Sequence, residues 1–343
     1  MDTKIITNPS EQDIDTLARA LRNGELVSIP TETVYGLGAN GLDPEAMDKI
    51  YAAKGRPSDN PLILHVPNSE SIKPLVRGVS ATAQALMDAF WPGPLTITLP
   101  KSDLVPDRAT GGLERVALRC PDHAVCRALL ERAGIPIAAP SANISGRPSP
   151  TTAQDVYNDM NGRISYILDA GPCIIGVEST VVEVHDDKII ILRPGGITKA
   201  QLEAVVSTVE YDTALVNEAT KPKAPGMKYT HYAPDAPMTV VVGRPEAVAY
   251  TFKELSTGVA GPIGCLVSHE TYELIKEDKR FMCHCFGHHG DALALGHDFY
   301  KSLLHFNENH VTLILSEGVN DDGFGVAIMN RMEKASGHHI IYK

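Results

Sequence analysis

Positive charge is scarce in this sequence, and signals for a membrane or an export pathway are missing. The 31 Lys and Arg residues are outnumbered by 42 Asp and Glu residues, which gives a formal net charge of −11. Strong nucleic-acid binding needs clustered cationic side chains against phosphates, so we expect no strong direct contact with nucleic acid. No apolar run approaches the length of a bilayer span, and the polar residues 1–4 do not read as a signal peptide. The sequence therefore predicts a cytoplasmic protein without a membrane segment.

Cysteine is also sparse. The 6 cysteines are scattered, mostly inside apolar segments, which is typical of reduced thiols rather than a disulfide framework. The densest cluster is Cys283, Cys285, His288 and His289, where zinc binding is one interpretation. A structural zinc site would usually need a second ligand pair, which is absent here. We favour a β-strand whose cysteines face a core, and zinc stays the alternative.

Several common catalytic motifs are absent. The chain has no Gly-Lys-Ser/Thr loop, no Gly-x-Ser-x-Gly elbow and no His-Glu-x-x-His helix, which argues against P-loop enzymes, hydrolases and zincins. Residues 36–41 do spell the dinucleotide-binding fingerprint. However, five residues separate Pro30, at the end of a predicted strand, from Gly36, and the next predicted helix begins only near Asp43. The glycines then belong to a short turn, and we expect no nicotinamide or flavin site.

The organisation of the chain predicts two domains. At 343 residues and 43% hydrophobic content, the chain is long enough to bury two cores. Alternating helices and strands with a hairpin at 185–188 predict an α/β domain with a twisted mixed sheet over 1–206. A proline-rich segment, 207–237, then reads as an interdomain arm or lid because it is also dense in His, Tyr and Lys. Residues 238–343 are predicted to form a smaller α/β, Rossmann-like domain.

Apolar spacing and capping residues predict the individual elements. The predicted helices lie at 10–23, 43–54, 80–90, 123–133 and 152–160. The predicted strands lie at 26–30, 62–66, 95–99, 115–119, 135–139, 166–169, 178–182, 189–192, 238–242, 263–267, 281–286 and 311–316.

Polar side chains recur where the predicted elements of the first domain end. Each alone could be a solvated loop residue or a cap, but together they predict a ligand crevice at the strand ends of an open sheet. Guanidinium and ammonium groups among them suit a phosphate or a carboxylate, so we expect an anionic ligand held from several sides. The members of this set are Thr31, Thr33, Tyr35, Lys54, Arg56, Ser141, Asn143, Ser179 and Arg193.

Three of these segments resemble, in order, the motifs of the YrdC-type L-threonylcarbamoyladenylate synthase family. They are Thr-Glu-Thr-Val-Tyr-Gly-Leu at 31–37, Lys-Gly-Arg-Pro at 54–57 and Pro-Ser-Ala-Asn-Ile-Ser-Gly at 140–146. Pro-Gly-Met at 225–227 and His-Tyr-Ala-Pro at 231–234 are similar to the interdomain motif of the long, two-domain members. The resemblance extends over nearly the whole chain.

The resemblance implies a nucleotidyltransferase reaction. L-threonine, bicarbonate and ATP would give threonylcarbamoyl-AMP and pyrophosphate, with Mg²⁺ accompanying the ATP and no protein metal site firmly implied. The product would serve threonylcarbamoyladenosine modification of tRNA by a downstream transfer machinery.

Site residues follow from the same resemblance. Lys54 and Arg56 would be catalytic, with Asn60 also facing the triphosphate. The implied ATP-binding set is Arg56, Asn60, Arg115, Ser141, Asn143, Ser149, Arg193 and Tyr232, the last reaching over from the arm. The implied threonine-binding set is Thr33, His65, Arg119, the Ala139 backbone and Ser179, with Arg119 taking the carboxylate.

Two alternatives from other classes remain open. The first domain could be an RNA-binding module, against which the acidic charge counts. It could instead transfer carbamoyl groups, although related proteins of that kind carry cysteine-rich zinc motifs that this chain lacks.

Overall fold

The computed structural model describes residues 2–215 and 231–343. These residues fall into two compact units. Of the described residues, the first unit contains 2–145, 149–174 and 178–215, and the second contains 146–148, 175–177 and 231–343. Each unit is built on its own β-sheet.

The first unit is an α/β structure. Its strands are β1 (Lys4–Thr7), β2 (Val27–Ile29), β3 (Gly36–Asn40), β4 (Ile63–His65), β5 (Leu95–Pro100), β6 (Arg115–Arg119), β7 (Ile137–Ala138), β8 (Tyr166–Asp169), β9 (Thr180–Val184), β10 (Ile189–Arg193) and β11 (Val209–Tyr211). Its helices are α1 (Glu11–Arg22), α2 (Pro44–Lys54), α3 (Ala81–Phe90), α4 (Asp107–Thr110), α5 (Ala124–Ala133), α6 (Ala153–Met160) and α7 (Lys199–Glu203).

Helix ends follow the capping residues in the sequence. Ser10 begins α1 with a reciprocal capping box to Asp13. Asp43 caps α2 by accepting a hydrogen bond from the Glu45 backbone N–H, and proline occupies the first turn. Gly55 ends α2 at φ +63°, a left-handed conformation that glycine adopts without strain. These predicted helix starts are confirmed.

The first sheet is mixed, as predicted. Its strand order is β1-β8-β2-β3-β7-β4-β6-β5-β9-β10-β11. Strand β4 runs parallel to β6, β6 antiparallel to β5, and β5 parallel to β9. The predicted hairpin joins β9 and β10 as antiparallel neighbours. Residues from distant parts of the chain thus become lateral neighbours.

The two faces of this sheet are covered differently. On one face, α2, α3, α6 and α7 bury a large apolar core that includes Leu95, Ile97 and Leu99 of β5. On the other face, α1 and α5 pack a separate cluster against β2, β7 and β8. Where that second face passes onto β4, β6, β5 and β9, it presents polar side chains such as Thr96 and Thr98.

The glycine-rich segment 36–41 is where the prediction of a turn was wrong. Residues 36–40 form β3, which pairs antiparallel with β2 and with β7. A Cβ atom on Gly38 would lie 2.9 Å from the Val27 carbonyl oxygen, so this glycine permits close strand packing.

Other strands of the first unit also differ from the prediction. The predicted strand 135–139 is reduced to the two residues of β7. Strands β1 and β11 were not predicted, because both are short and mostly exposed. Strand β11 pairs with β10, so the first sheet continues beyond residue 206.

The second unit is a parallel α/β structure. Its elements are β12 (Met238–Val242), α8 (Pro245–Leu255), β13 (Ile263–Val267), α9 (His269–Ile275), β14 (Phe281–Cys285), α10 (Ala292–Glu308), β15 (Leu313–Glu317), α11 (Gly325–Ala335) and β16 (Ile340–Tyr342). The order β14-β13-β15-β12-β16 is parallel at each pairing. The predicted strands of this domain are present, and β16 was missed.

The cysteine-histidine cluster lies at the end of β14. Cys283 is half-buried against the second core, whereas Cys285 is exposed with its Sγ 3.8 Å from His269 Nδ1, so only the first cysteine fits the core-facing expectation. His289 Nδ1 lies 2.6 Å from the buried Glu317 carboxylate. Within the described part of the chain, no group of three or more His, Cys, Asp or Glu residues is placed to hold a metal ion.

Helix length bears on the membrane question. Across residues 2–215 and 231–343, no helix is both long and apolar enough to cross a bilayer.

Candidate active site

A row of polar residues crosses five adjacent strands of the first sheet. His65 ends β4 and stands in parallel register beside Arg119, which ends β6. Ile97 of β5 pairs with Leu118, which sets Thr96 opposite Arg119. Ser179 immediately precedes β9, and Arg193 ends β10. We call His65, Arg119, Thr96, Ser179 and Arg193 the cross-strand row.

Ser179 is held from both sides within this row. Its Oγ lies 2.8 Å from Thr96 Oγ1 and accepts a hydrogen bond of 3.1 Å from Arg193 Nη2. Arg193 Nε also donates to the Ser179 carbonyl oxygen at 3.1 Å. A residue predicted for the nucleotide therefore contacts one predicted for threonine.

Thr96 is a site residue that the sequence analysis missed. A signal existed, because Thr96 and Thr98 alternate with Leu95, Ile97 and Leu99 along one strand. Thr96 is fully buried although its side chain lies on the face opposite the apolar core. Because buried hydroxyls need hydrogen-bond partners, their alternation along the strand indicates that this face of the sheet contacts other polar groups.

His65 is an uncharged member of the row. Burial, with a smaller contribution from the neighbouring Arg119 cation, lowers the pKa of His65 to about 3. Its Nδ1 lies 3.2 Å from the Ile63 carbonyl oxygen, and since a carbonyl only accepts, Nδ1 carries the hydrogen. The ring therefore offers a neutral, polar surface beside a fixed positive charge.

Arg119 faces a carboxylate from the threonine-rich turn that follows β2. Glu32 Oε2 lies 2.7 Å from Arg119 Nη2, and both side chains are at most 6% exposed. In the same turn, Thr31 and Thr33 place their hydroxyl oxygens 2.9 Å apart, and both are buried. Glu32 was not among the predicted site residues, although it lies inside a recognised motif.

Lys54, the last residue of α2, is directed into the protein rather than toward solvent. Its side chain is fully buried, and Nζ donates to the carbonyl oxygens of Ser141 and Asn143 at 2.5 and 2.6 Å. Burial, followed by the nearby Arg56 cation, lowers the Lys54 pKa well below its ordinary value. The lysine thus fastens the loop after β7 to the end of α2.

The loop that follows α2 is exposed at residues 57–59 but buries two polar side chains, Arg56 and Asn60. Arg56 is 9% exposed and donates from Nη2 to the Pro61 carbonyl oxygen at 3.2 Å. The Asn60 carbonyl accepts a hydrogen bond from Tyr51, but its buried Oδ1 has no hydrogen-bond partner among the described residues. An unsatisfied buried amide oxygen is a candidate contact for a ligand.

Ser149 joins the same neighbourhood through an acidic residue. Its Oγ donates to Glu178 Oε1 at 2.6 Å, and both side chains are buried. Glu178 directly precedes Ser179, so this contact reaches the cross-strand row.

Arg115 lies apart from the row. It begins β6, roughly 13 Å along the strand from Arg119 at the rise of an extended chain. Its Nη2 donates to the carbonyl oxygens of Thr98 and Val184. Because residues four apart share a face, a ligand contacting both arginines would have to extend along the sheet.

Two further predictions concern backbone and aromatic groups. The Ala139 backbone N–H donates to the Ile63 carbonyl oxygen at 2.9 Å, which joins it to β4 near His65. Tyr232 belongs to the second unit, where it is buried at φ +67° with its ring centroid 5.3 Å from that of Tyr300. The motif at 225–227, with Lys228 and Tyr229, lies outside the described residues.

Comparison with known proteins gives a consistent answer. A family model described as "Telomere recombination" (Sua5/YciO/YrdC) matches residues 19–195, and one described as "Threonylcarbamoyl-AMP synthase, C-terminal domain" matches residues 197–337. The threonylcarbamoyl-AMP synthase of Bacillus subtilis is 46% identical over 97% of this chain and 95% of its own length. That of Pyrococcus abyssi is 43% identical over 96% of each chain.

A solved structure agrees over both units. The crystal structure of P. abyssi Sua5 complexed with L-threonine matches with a TM-score of 0.90 at 41% identity, covering 99% of this chain and 100% of that one. With matches of this extent at both sequence and structure level, the chain belongs to the threonylcarbamoyl-AMP synthase family, in its two-domain form.

Proposed function

We propose that this protein condenses L-threonine, bicarbonate and ATP into threonylcarbamoyl-AMP with release of pyrophosphate. The observation that carries the proposal is the contact between Arg193 and Ser179 within the cross-strand row. It supports adjacent places for a phosphate ligand and an amino-acid ligand, as a reaction between the two requires. Family membership supports the same substrates, since the relatives are named for this product.

Threonine would occupy the β4 to β9 part of the row. Arg119 would pair with its carboxylate, because a guanidinium fork matches a carboxylate with two parallel hydrogen bonds. Neutral His65, the hydroxyls of Thr33 and Ser179, and the Ala139 backbone would surround the rest of this small polar ligand. The P. abyssi structure, which is complexed with L-threonine, supports this ligand class.

The nucleotide would lie beside it. Arg193, Arg56 and Asn60 would meet the phosphates, and the loop that Lys54 fastens would present Ser141 and Asn143. Ser149 would join this set through its contact with Glu178. Arg115 and Tyr232 are also proposed to bind the nucleotide, because the family resemblance implies this role for their positions.

The chemistry needs positioning more than a covalent nucleophile. The threonine amine attacks the carbon of bicarbonate and forms a carbamate with loss of water. A carbamate oxygen then attacks the α-phosphorus of ATP in line while pyrophosphate leaves. Arg56 and Arg193 would stabilise the negative charge that develops on the phosphate oxygens. Lys54 would contribute to the same stabilisation, as the family resemblance implies. The adenylate would then be consumed by a transferase that acts on tRNA adenosine.

A divalent cation, Mg²⁺ by our proposal, would enter with ATP. Magnesium in such sites is held largely by substrate phosphates and water with few protein carboxylates, and the described residues offer no three-ligand cluster. When bound, it would neutralise triphosphate charge.

Pyrophosphate release tests the function directly. We expect release from ATP only when L-threonine and bicarbonate are both present. The Arg193→Met variant should lose about 10²-fold or more in rate, because it removes one electrostatic contact to the phosphates. Arg132→Met is the matched control, since Arg132 lies on α5 with its side chain 45% exposed, and it should leave the rate unchanged. Release that does not depend on threonine would contradict the proposal.

A further inference from the structure

Glu32 is a buried carboxylate to which the sequence assigned no role. It lies in the turn after β2, between Thr31 and Thr33, and its side chain is 6% exposed. Its backbone carbonyl is engaged, because it accepts a hydrogen bond from the Ile174 N–H at 3.1 Å. The backbone is thus fixed while the carboxylate points toward Arg119. A charge in such a place is costly unless it is both paired and hydrogen-bonded.

The contact between Glu32 and Arg119 is incomplete. The oxygen and nitrogen approach to 2.7 Å, as an ion pair should. Their orientation, however, leaves both Glu32 oxygens, as well as Arg119 Nε and Nη2, without a hydrogen bond among the described residues. Two opposite charges therefore balance each other while keeping free hydrogen-bonding capacity. Buried groups of this kind normally find partners, which indicates that a ligand completes them.

The two charges of the pair indicate the chemistry of a ligand that would complete it. A buried cation and a buried anion side by side match a ligand that carries both charges on adjacent atoms, and an α-amino acid is such a zwitterion. We propose that Glu32 accepts the ammonium group of the amino-acid substrate while Arg119 takes its carboxylate. The inference rests on the proposed function and deepens it, because it names a specificity residue for the α-amino group.

Neighbouring groups favour this role. The ring of His65 beside Arg119 stays neutral, and burial likewise lowers the pKa of His123, whose ring is near Glu32. Glu32 is the carboxylate that contacts Arg119 directly, at 2.7 Å, and so places a negative charge beside the proposed carboxylate receptor. Thr33 and Ser179 are uncharged hydroxyls, which suit the substrate hydroxyl rather than its ammonium.

The binding experiment described below distinguishes this role of Glu32 from two others. Glu32 could be a latch that competes with the substrate carboxylate for Arg119. It could instead be a purely structural partner of Arg119. The three roles differ in how a substrate with an amino group compares with one that lacks it.

The experiment compares two ligands on two proteins. Binding of L-threonine and of 3-hydroxybutanoate, the same skeleton without the amino group, is measured by calorimetry on wild type and Glu32→Gln. Wild type should prefer L-threonine, and Glu32→Gln should reduce that preference about 10-fold or more, as expected for loss of a charge-assisted hydrogen bond. Glu317→Gln, which neutralises a fully buried carboxylate of the second unit, is the matched control and should keep the preference.

Each other result overturns the inference. A latch predicts that Glu32→Gln binds both ligands more tightly with an unchanged preference. A structural role predicts that both affinities fall together. If Glu32→Gln does not fold, Glu32→Asp is measured instead; it keeps the charge but withdraws it by one methylene, and should weaken L-threonine while sparing 3-hydroxybutanoate. Wild type that binds no L-threonine would contradict the proposed function itself rather than the role of Glu32.

Discussion

His65 should stay uncharged to acid pH, and this has a measurable consequence for stability. Burial and the neighbouring Arg119 cation lower its pKa in the folded protein to about 3, against an ordinary value of 6.5. Between about pH 3 and pH 6.5, the His65 ring is protonated in the unfolded chain but stays neutral in the folded chain. Acidification below about pH 6.5 therefore lowers the free energy of unfolding, and this loss of stability is complete near pH 3.

The magnitude follows from the same two pKa values. At pH 5, protonation of His65 favours the unfolded state by a factor of about 30, while the folded ring remains neutral. That factor corresponds to ~2 kcal/mol of unfolding free energy lost between pH 8 and pH 5. For a unit of this size it lowers the melting temperature by roughly 4–8 °C.

The assay compares the change in stability between two pH values in two proteins. Thermal unfolding of wild type and His65→Gln is followed at pH 8 and pH 5, since glutamine keeps a neutral polar side chain that does not titrate. Other ionisable groups contribute equally to both proteins, so the variant should lose less stability on acidification by ~2 kcal/mol. Replacement of the exposed His339 by glutamine is the control. Identical pH dependence in wild type and His65→Gln would refute the assignment of a buried neutral ring.

Two further predictions concern contacts made by Lys54 and Thr96. Lys54→Met should lower the unfolding free energy by about 2–4 kcal/mol in urea titrations, because the carbonyls of Ser141 and Asn143 lose their buried donor. An unchanged midpoint would mean that other contacts hold this loop. Thr96→Val should raise the KM for threonine about 5- to 10-fold with little effect on the KM for ATP, since Ser179 loses one of its two partners. Thr96→Ser should restore the wild-type value, and equal changes for both substrates would contradict a role specific to threonine.

Local features of the fold could be predicted because their causes are local. Ser10 and Asp43 cap the helices where their side chains reach the first free backbone N–H groups. The hairpin between β9 and β10 likewise depends on neighbouring residues. Residues 36–40 misled the sequence analysis, since glycine serves both turns and close strand packing. The distinction depends on Val27, a strand partner that only the folded sheet identifies.

The ion pair between Glu32 and Arg119 could not be predicted from the sequence either. The resemblance supplied Arg119 as a carboxylate receptor, and the motif containing Glu32 was recognised, yet the partnership between them was not foreseen. The two residues are far apart in the chain and belong to a turn and a strand end that no periodic pattern connects. Their proximity at 2.7 Å depends on the order of strands between β2 and β6.

Strand order also explains why residues that we propose for two different substrates are neighbours. Alternation along β5 fixes which face Thr96 occupies, but not which residues flank it. Inserting β5 between β6 and β9 sets Thr96 between a cation suited to a carboxylate, Arg119, and the serine that Arg193 holds. The strand order thus places Ser179, which we propose for threonine, within hydrogen-bond distance of Arg193, which we propose for the nucleotide.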